Sequence, residues 1–149
     1  MAQSKSMYMT LERRALNVFR NEIQNYIDSV DCIVNPTLFR EGRGLCGTGQ
    51  IAKYLLENGG DEYQKACSMV KLSPGTNCVM TNRGYKCKIL HSTRESREAS
   101  DKDTINKCVY KAVLECLQTA ERENVTSIVL PFMYTGEVIL RSMDALQNV

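Results

Sequence analysis

A short apolar run, a glycine-bearing loop and a helix-patterned stretch follow one another twice in this sequence, and that repeated order constrains the fold more than any other feature. The first instance runs from Asp31-Cys32-Ile33-Val34-Asn35-Pro36 through residues 40–49, which hold four glycines in ten positions, into a helical pattern over residues 50–57. The second runs from Ser127-Ile128-Val129-Leu130-Pro131-Phe132 through Thr135-Gly136 into a helical pattern carrying Ile139, Met143 and Leu146. Apolar, partly β-branched runs closed by proline read as buried strands. Four glycines in ten residues make regular structure costly, so residues 40–49 read as a flexible loop. The alternation predicts an α/β domain in which helices cover a mostly buried sheet.

The stretches around these units fill in the rest. Leu11, Ala15, Val18, Phe19, Ile23, Tyr26 and Ile27 fall at helical spacing, which predicts an amphipathic helix over residues 10–28 with Thr10 as its N-cap. Arg13, Arg14 and Arg20 then solvate its outer face, and Glu12, Glu22 and Asp28 on the same helix weaken any RNA-binding reading. Asn58-Gly59-Gly60 ends the helix that starts at Gln50, and a second helix restarts over residues 61–69. Residues 76–81 and 86–91 read as strands joined by a turn at Asn82-Arg83-Gly84. Residues 91–103 are polar and aperiodic and read as a solvated connection. The clearest helix, over residues 103–123, carries Ile105, Cys108, Val109, Ala112, Val113, Cys116, Leu117 and Ala120 at three- and four-residue steps.

Composition removes several classes of function. With 19 Lys+Arg against 17 Asp+Glu over 149 residues, the chain has no polyelectrolyte bias toward nucleic acid, which weighs against a nucleic-acid partner. No window approaches the ~20 apolar residues of a membrane span, and the start, MAQSKSMYMTLERR, lacks the apolar core of a signal peptide. Seven cysteines with no C-x-x-C spacing argue against a zinc site and for buried reduced thiols, hence an intracellular setting, cytoplasmic or nuclear. No metal or cofactor is expected. Cys46 in the glycine loop reads as an incidental thiol and the single histidine, His91, as structural, because no Ser/Cys-plus-acid pattern completes a catalytic set.

In α/β sheets, ligands gather where strands lead into helix N-termini, and the two glycine junctions are such places. Neither carries a P-loop ending or the dinucleotide glycine fingerprint. Val30-Asp31-Cys32-Ile33-Val34-Asn35, Gly47-Thr48-Gly49-Gln50-Ile51-Ala52, and Gly59-Gly60 with Tyr63-Gln64-Lys65-Ala66-Cys67 together resemble the first half of a macro domain, the ADP-ribose-binding fold. Lys86-Cys87-Lys88-Ile89-Leu90-His91 resembles that family's central strand. The helix from Asp103 and the segment from Ser127 to Gly136 resemble the elements that follow it. The resemblance implies a three-layer α/β/α fold with a reduced central mixed sheet over residues 30–149, preceded by an N-terminal helical segment over residues 1–29.

Carried over by position, Ile33 would lie near the adenine or ribose. Asn35 would brace the first loop by hydrogen bonds, while Gly47, Gly49, Gln50 and Ile51 would wall the diphosphate and distal ribose. Thr135, Gly136, Glu137 and Val138 would form the opposite lip. The resemblance thus implies a binding module for ADP-ribose or ADP-ribosylated protein. The alternative is a macro fold that has lost nucleotide binding and serves protein–protein assembly. Three departures shape the expectation. Leu38 stands where hydrolytic members carry a second asparagine, and leucine cannot orient a water, so no catalytic residues are assigned and ADP-ribosyl hydrolysis is not expected. Glu137 places a carboxylate in the second loop, where it would oppose a diphosphate unless it points away. No counterpart is recognised for the family's earliest strand or its last. A four-strand sheet is therefore expected with residues 127–132 at its edge, covered by the 10–28 helix or by a second chain in a homo-oligomer.

Overall fold

A computed structural model describes residues 6–12, 15–21, 23–40, 42–46, 50–93 and 102–131. The strands are β1 (Ser6–Glu12), β2 (Ala15–Asn21), β3 (Cys32–Arg40), β4 (Gly44–Cys46), β5 (Cys78–Thr81), β6 (Lys88–Thr93) and β7 (Ser127–Pro131). The helices are α1 (Gln50–Asn58), α2 (Gly60–Met69) and α3 (Lys102–Arg122), with a single 3-10 turn at Ile23–Asn25. The strands form one mixed sheet in the order β2-β1-β7-β3-β6-β5, and β4 pairs with the far end of β3. β3 runs parallel to both β6 and β7, whereas β5 and β1 are antiparallel to their neighbours. The α/β fold with a mixed sheet is the one expected.

Period-two alternation along the three parallel strands explains the layers. Cys32 and Val34 of β3, Leu90 of β6, and Ile128 and Leu130 of β7 face α3, where Val109, Val113, Cys116, Leu117 and Ala120 meet them. The intervening residues Ile33, Ile89 and Val129 face the other way, onto Leu55 of α1 and Tyr63 and Cys67 of α2. Helices therefore cover both faces. Strands buried on two sides need uninterrupted apolar runs, and these segments supply them. Each fully buried aliphatic side chain contributes roughly 1.5–3 kcal/mol.

The N-terminal expectation is corrected. Residues 10–28 do not form a helix: β1 and β2 pair antiparallel from Ser6↔Asn21 to Glu12↔Ala15, and β1 adds to β7 from Tyr8↔Pro131 to Glu12↔Ser127. Helical spacing is a local signal, and here non-local pairing overrides it, helped by the β-favouring Val18 and Phe19. The expected four-strand sheet with an open 127–132 edge also fails, because β7 lies between β1 and β3. The edge and the helix through which a homo-oligomer was expected are therefore not there as such; the outer strands of the described sheet are β2 and β5. The helical pattern holding Met143 lies outside the described residues.

Three smaller corrections have clear causes. Pro36 does not end its strand, since β3 continues to Arg40. The pairing of β3 with β7 covers only Cys32 and Ile33, so the missing proline N–H falls where that side of the ladder has already ended. The 40–49 loop contains β4, which folds back on β3 with Leu38 opposite Cys46. Cys108, expected on the inner face of α3, is exposed, because Val109 takes the inward position and sets the 109–113–116–120 stripe.

The amino ends of the parallel strands are pinned by polar contacts. The Ser127 hydroxyl accepts from the Asp31 N–H at 3.0 Å, and the Asp31 carboxylate accepts from the Thr126 N–H at 3.0 Å. The Asp31 carbonyl accepts from the Lys88 N–H at 2.9 Å. These contacts tie the amino ends of β3, β6 and β7 to one another.

Candidate functional site

The chain leaves β3 toward the α1/α2 face before reaching β6, and leaves β6 toward the α3 face before reaching β7. The outgoing connections of two adjacent parallel strands thus diverge to opposite faces, and the crevice opened by such a switch at the carboxyl ends is where α/β sheets bind ligands. The residues at this switch are Asn35 and His91, which are register partners on β3 and β6.

Both side chains project toward α1 and α2, and both are buried, Asn35 at 2% exposure and His91 at 0%. Asn35 Nδ2 lies 3.0 Å from His91 Nδ1, and His91 Nε2 lies 2.8 Å from Thr81 Oγ1 on β5. The Asn35 amide oxygen is buried without a hydrogen-bond partner. Burial away from water lowers the His91 pKa to about 3, so the imidazole is neutral at physiological pH. The Tyr63 ring lies 6.2 Å from the imidazole and meets Tyr85 edge-on at 5.1 Å, and the Tyr85 hydroxyl donates to the Leu55 carbonyl at 2.7 Å. Burial raises the pKa of both tyrosines, so neither acts as a base near neutrality.

Two thiols at the amino ends of β3 and β6 are held protonated for the same reason. Burial pushes Cys32 up to about 12 and Cys87 up to about 11. Among the described residues no group of three His, Cys, Asp or Glu side chains is placed to hold a metal ion. The described residues of the site offer hydrogen bonds and backbone dipoles.

Several residues expected from the sequence fall around this point. Ile33 is fully buried one pleat below Asn35, packed into the α1/α2-side core. Gln50 opens α1 as an exposed residue and Ile51 is half-buried against the same core. Gly47 and Gly49, which precede Gln50 in sequence, lie outside the described residues, as do Thr135, Gly136, Glu137 and Val138 after β7. One glycine of the first loop has a packing reason for being there. A Cβ at Gly44 would strike the Cys67 carbonyl and come within 2.9 Å of Ser68 Cα, so glycine lets β4 approach the end of α2.

Sequence reasoning did not foresee the contacts of His91 with Asn35 and Thr81. A signal was present: Ile33-x-Asn35, Ile89-x-His91 and Val79-x-Thr81 each set a polar residue two places after an apolar one, on the same strand face. Three neighbouring strands with that pattern bring three polar groups together inside one layer.

The family model of the Macro domain matches residues 41–149, well over half of the chain. No curated protein matches it.

Proposed function

This chain belongs to the macro domain family, a family of ADP-ribose-binding modules, and from that premise we propose that it binds ADP-ribose, free or attached to protein, at the carboxyl ends of β3, β6 and β7, without hydrolysing the ADP-ribosyl bond. The observation that carries the reading is the switch between β3 and β6, with the buried Asn35 beneath the crevice and the N-terminus of α1 opening beside Gln50. A nine-residue helix carries a partial positive charge at its first turn, which suits a diphosphate. The resemblance assigns the ligand two further sets of residues: Gly47 and Gly49, which precede α1 in sequence, and Thr135, Gly136, Glu137 and Val138, which follow β7 in sequence. Ile33 supports Asn35 from below. By the resemblance Leu38 stands at the place of the asparagine used by hydrolytic members, and among the described residues of the site the neutral His91 is held by Asn35 and Thr81 rather than free to act as a base.

Calorimetric titration of the purified chain with ADP-ribose tests this. Saturable binding with a Kd below ~100 µM is expected, about −5.5 kcal/mol of binding free energy. Gly49→Glu, which sets a side chain and a negative charge where a phosphate would approach, should abolish binding while circular dichroism stays unchanged. A titration without binding overturns the reading and leaves the assembly role as the better one. In a second arm, a mono-ADP-ribosylated protein incubated with the chain should keep its label; release of ADP-ribose overturns the non-hydrolytic part.

A further inference from the structure

We infer that Thr81, His91 and Asn35 form an orienting relay that holds the Asn35 carboxamide with its oxygen free, as a preset hydrogen-bond acceptor for a hydroxyl of the bound ligand. This rests on the ADP-ribose reading and assigns His91 and Thr81 as positioning residues within it. A neutral imidazole has one donor nitrogen and one acceptor nitrogen. Both are engaged here, at 3.0 Å by Asn35 and at 2.8 Å by Thr81, so the two contacts are not independent. With Asn35 Nδ2 donating to Nδ1, the ring proton must sit on Nε2 and be donated to the Thr81 hydroxyl oxygen. The opposite tautomer requires the amide to turn over, so that Oδ1 accepts from Nδ1.

The two arrangements are unequal. As found, one acceptor, Oδ1, is buried without a partner. Turned over, the same place would hold an amide nitrogen with both hydrogens unpaired, against one unpaired hydrogen as found, and a buried N–H is left unpaired less readily than a carbonyl oxygen. The relay therefore selects the state in which an oxygen is left over. Nδ2 leans toward β6, and because the amide carbon is trigonal, Oδ1 lies on the branch turned away from β6. It lies at the strand switch, one pleat before Thr37 on the same face of β3, two residues from the end of the β3–β6 pairing. A lone buried acceptor at a ligand crevice is a group waiting for a donor, and the ribose hydroxyls are the only neutral O–H donors that ADP-ribose carries.

The test uses the full chain labelled with ¹⁵N, and ADP-ribose as the probe. Long-range ¹H–¹⁵N spectra of the ligand-free protein should show the Nε2-protonated tautomer of His91 from pH 5 to 8; an Nδ1-protonated ring overturns the relay. Thr81→Val removes the hydroxyl at nearly constant shape and should weaken ADP-ribose binding about 5- to 13-fold, the value of one net hydrogen bond. Thr81→Ser should stay within about twofold of the parent chain. Unchanged affinity in Thr81→Val, or equal loss in both variants, overturns the positioning role. If Thr81→Val does not fold, the tautomer of the unaltered chain decides. Failure of the parent chain to bind ADP-ribose removes the functional reading and the relay's purpose together, whereas binding with the wrong tautomer removes the relay alone.

Discussion

Gly84 stands so close to Tyr63 that a Cβ added to it would come within 2.6 Å of the Tyr63 Cβ and of the Gly59 carbonyl oxygen. Its φ of +90° is one that L side chains rarely adopt. The turn before β6 thereby presses on the buried ring that lines the α1/α2 side of the site. Gly84→Ala should lower stability by about 2–4 kcal/mol through backbone strain and overpacking together. Urea denaturation reads this as a lower midpoint at unchanged slope; an unchanged midpoint would show that the turn yields freely.

Stability should fall on the acid side because of His91. Its folded pKa of about 3 lies below the ordinary value of 6.5, so between these two the unfolded chain takes up a proton that the folded chain refuses. The contribution is complete above pH 6.5 and is lost as pH falls toward 3, at up to about 1.4 kcal/mol per pH unit. The difference between the parent chain and His91→Gln isolates it from the carboxylates. Denaturant midpoints from pH 7 to 4 should converge for the two proteins as pH falls; parallel curves would mean that His91 charges freely in the fold.

The Tyr63 hydroxyl is buried without a well-aligned hydrogen-bond partner, with the Cys67 thiol, a weak acceptor, beside it. Removing an unsatisfied polar group costs little, so Tyr63→Phe should change stability by less than about 1 kcal/mol or raise it, whereas Tyr63→Ala should cost about 3–5 kcal/mol. Thermal melts of the two variants check the contrast, and a large loss in Tyr63→Phe would show a partner for the hydroxyl.

Thiol reactivity should divide sharply. Among the described cysteines Cys108 is exposed, while Cys32, Cys67, Cys78, Cys87 and Cys116 are buried, with the Cys78 and Cys116 sulfurs 3.5 Å apart between β5 and α3. Iodoacetamide on the native chain, mapped by peptide mass spectrometry, should label Cys108 and spare those five until urea is added. Rapid native labelling of Cys116 would contradict the packing of α3 on the sheet.

Much of this architecture was legible because its signals are local. The three- and four-residue recurrence through Val109, Val113, Cys116 and Ala120 marked α3, and the glycine pair at 59–60 marked the break between α1 and α2. The N-terminal hairpin was not legible, since Leu11, Ala15, Val18 and Phe19 satisfy a helical period, while the β7 partners that hold β1 in the sheet lie more than a hundred residues away. The site was legible in half. Asn35 stood out in its apolar run, but its partners are on two other strands, and no spacing rule within one segment brings residues 35, 81 and 91 together.

The central claim, that ADP-ribose binds where β3 and β6 part, is tested most directly by an amide ¹H–¹⁵N titration of the chain with ADP-ribose. The expected result is a saturable set of shifts centred on the Asn35 side-chain amide, Thr37, Gln50, Ile51 and Thr93, with β2 and the outer face of α3 unmoved. No shifts at millimolar ligand, or shifts confined to those distant elements, would contradict it.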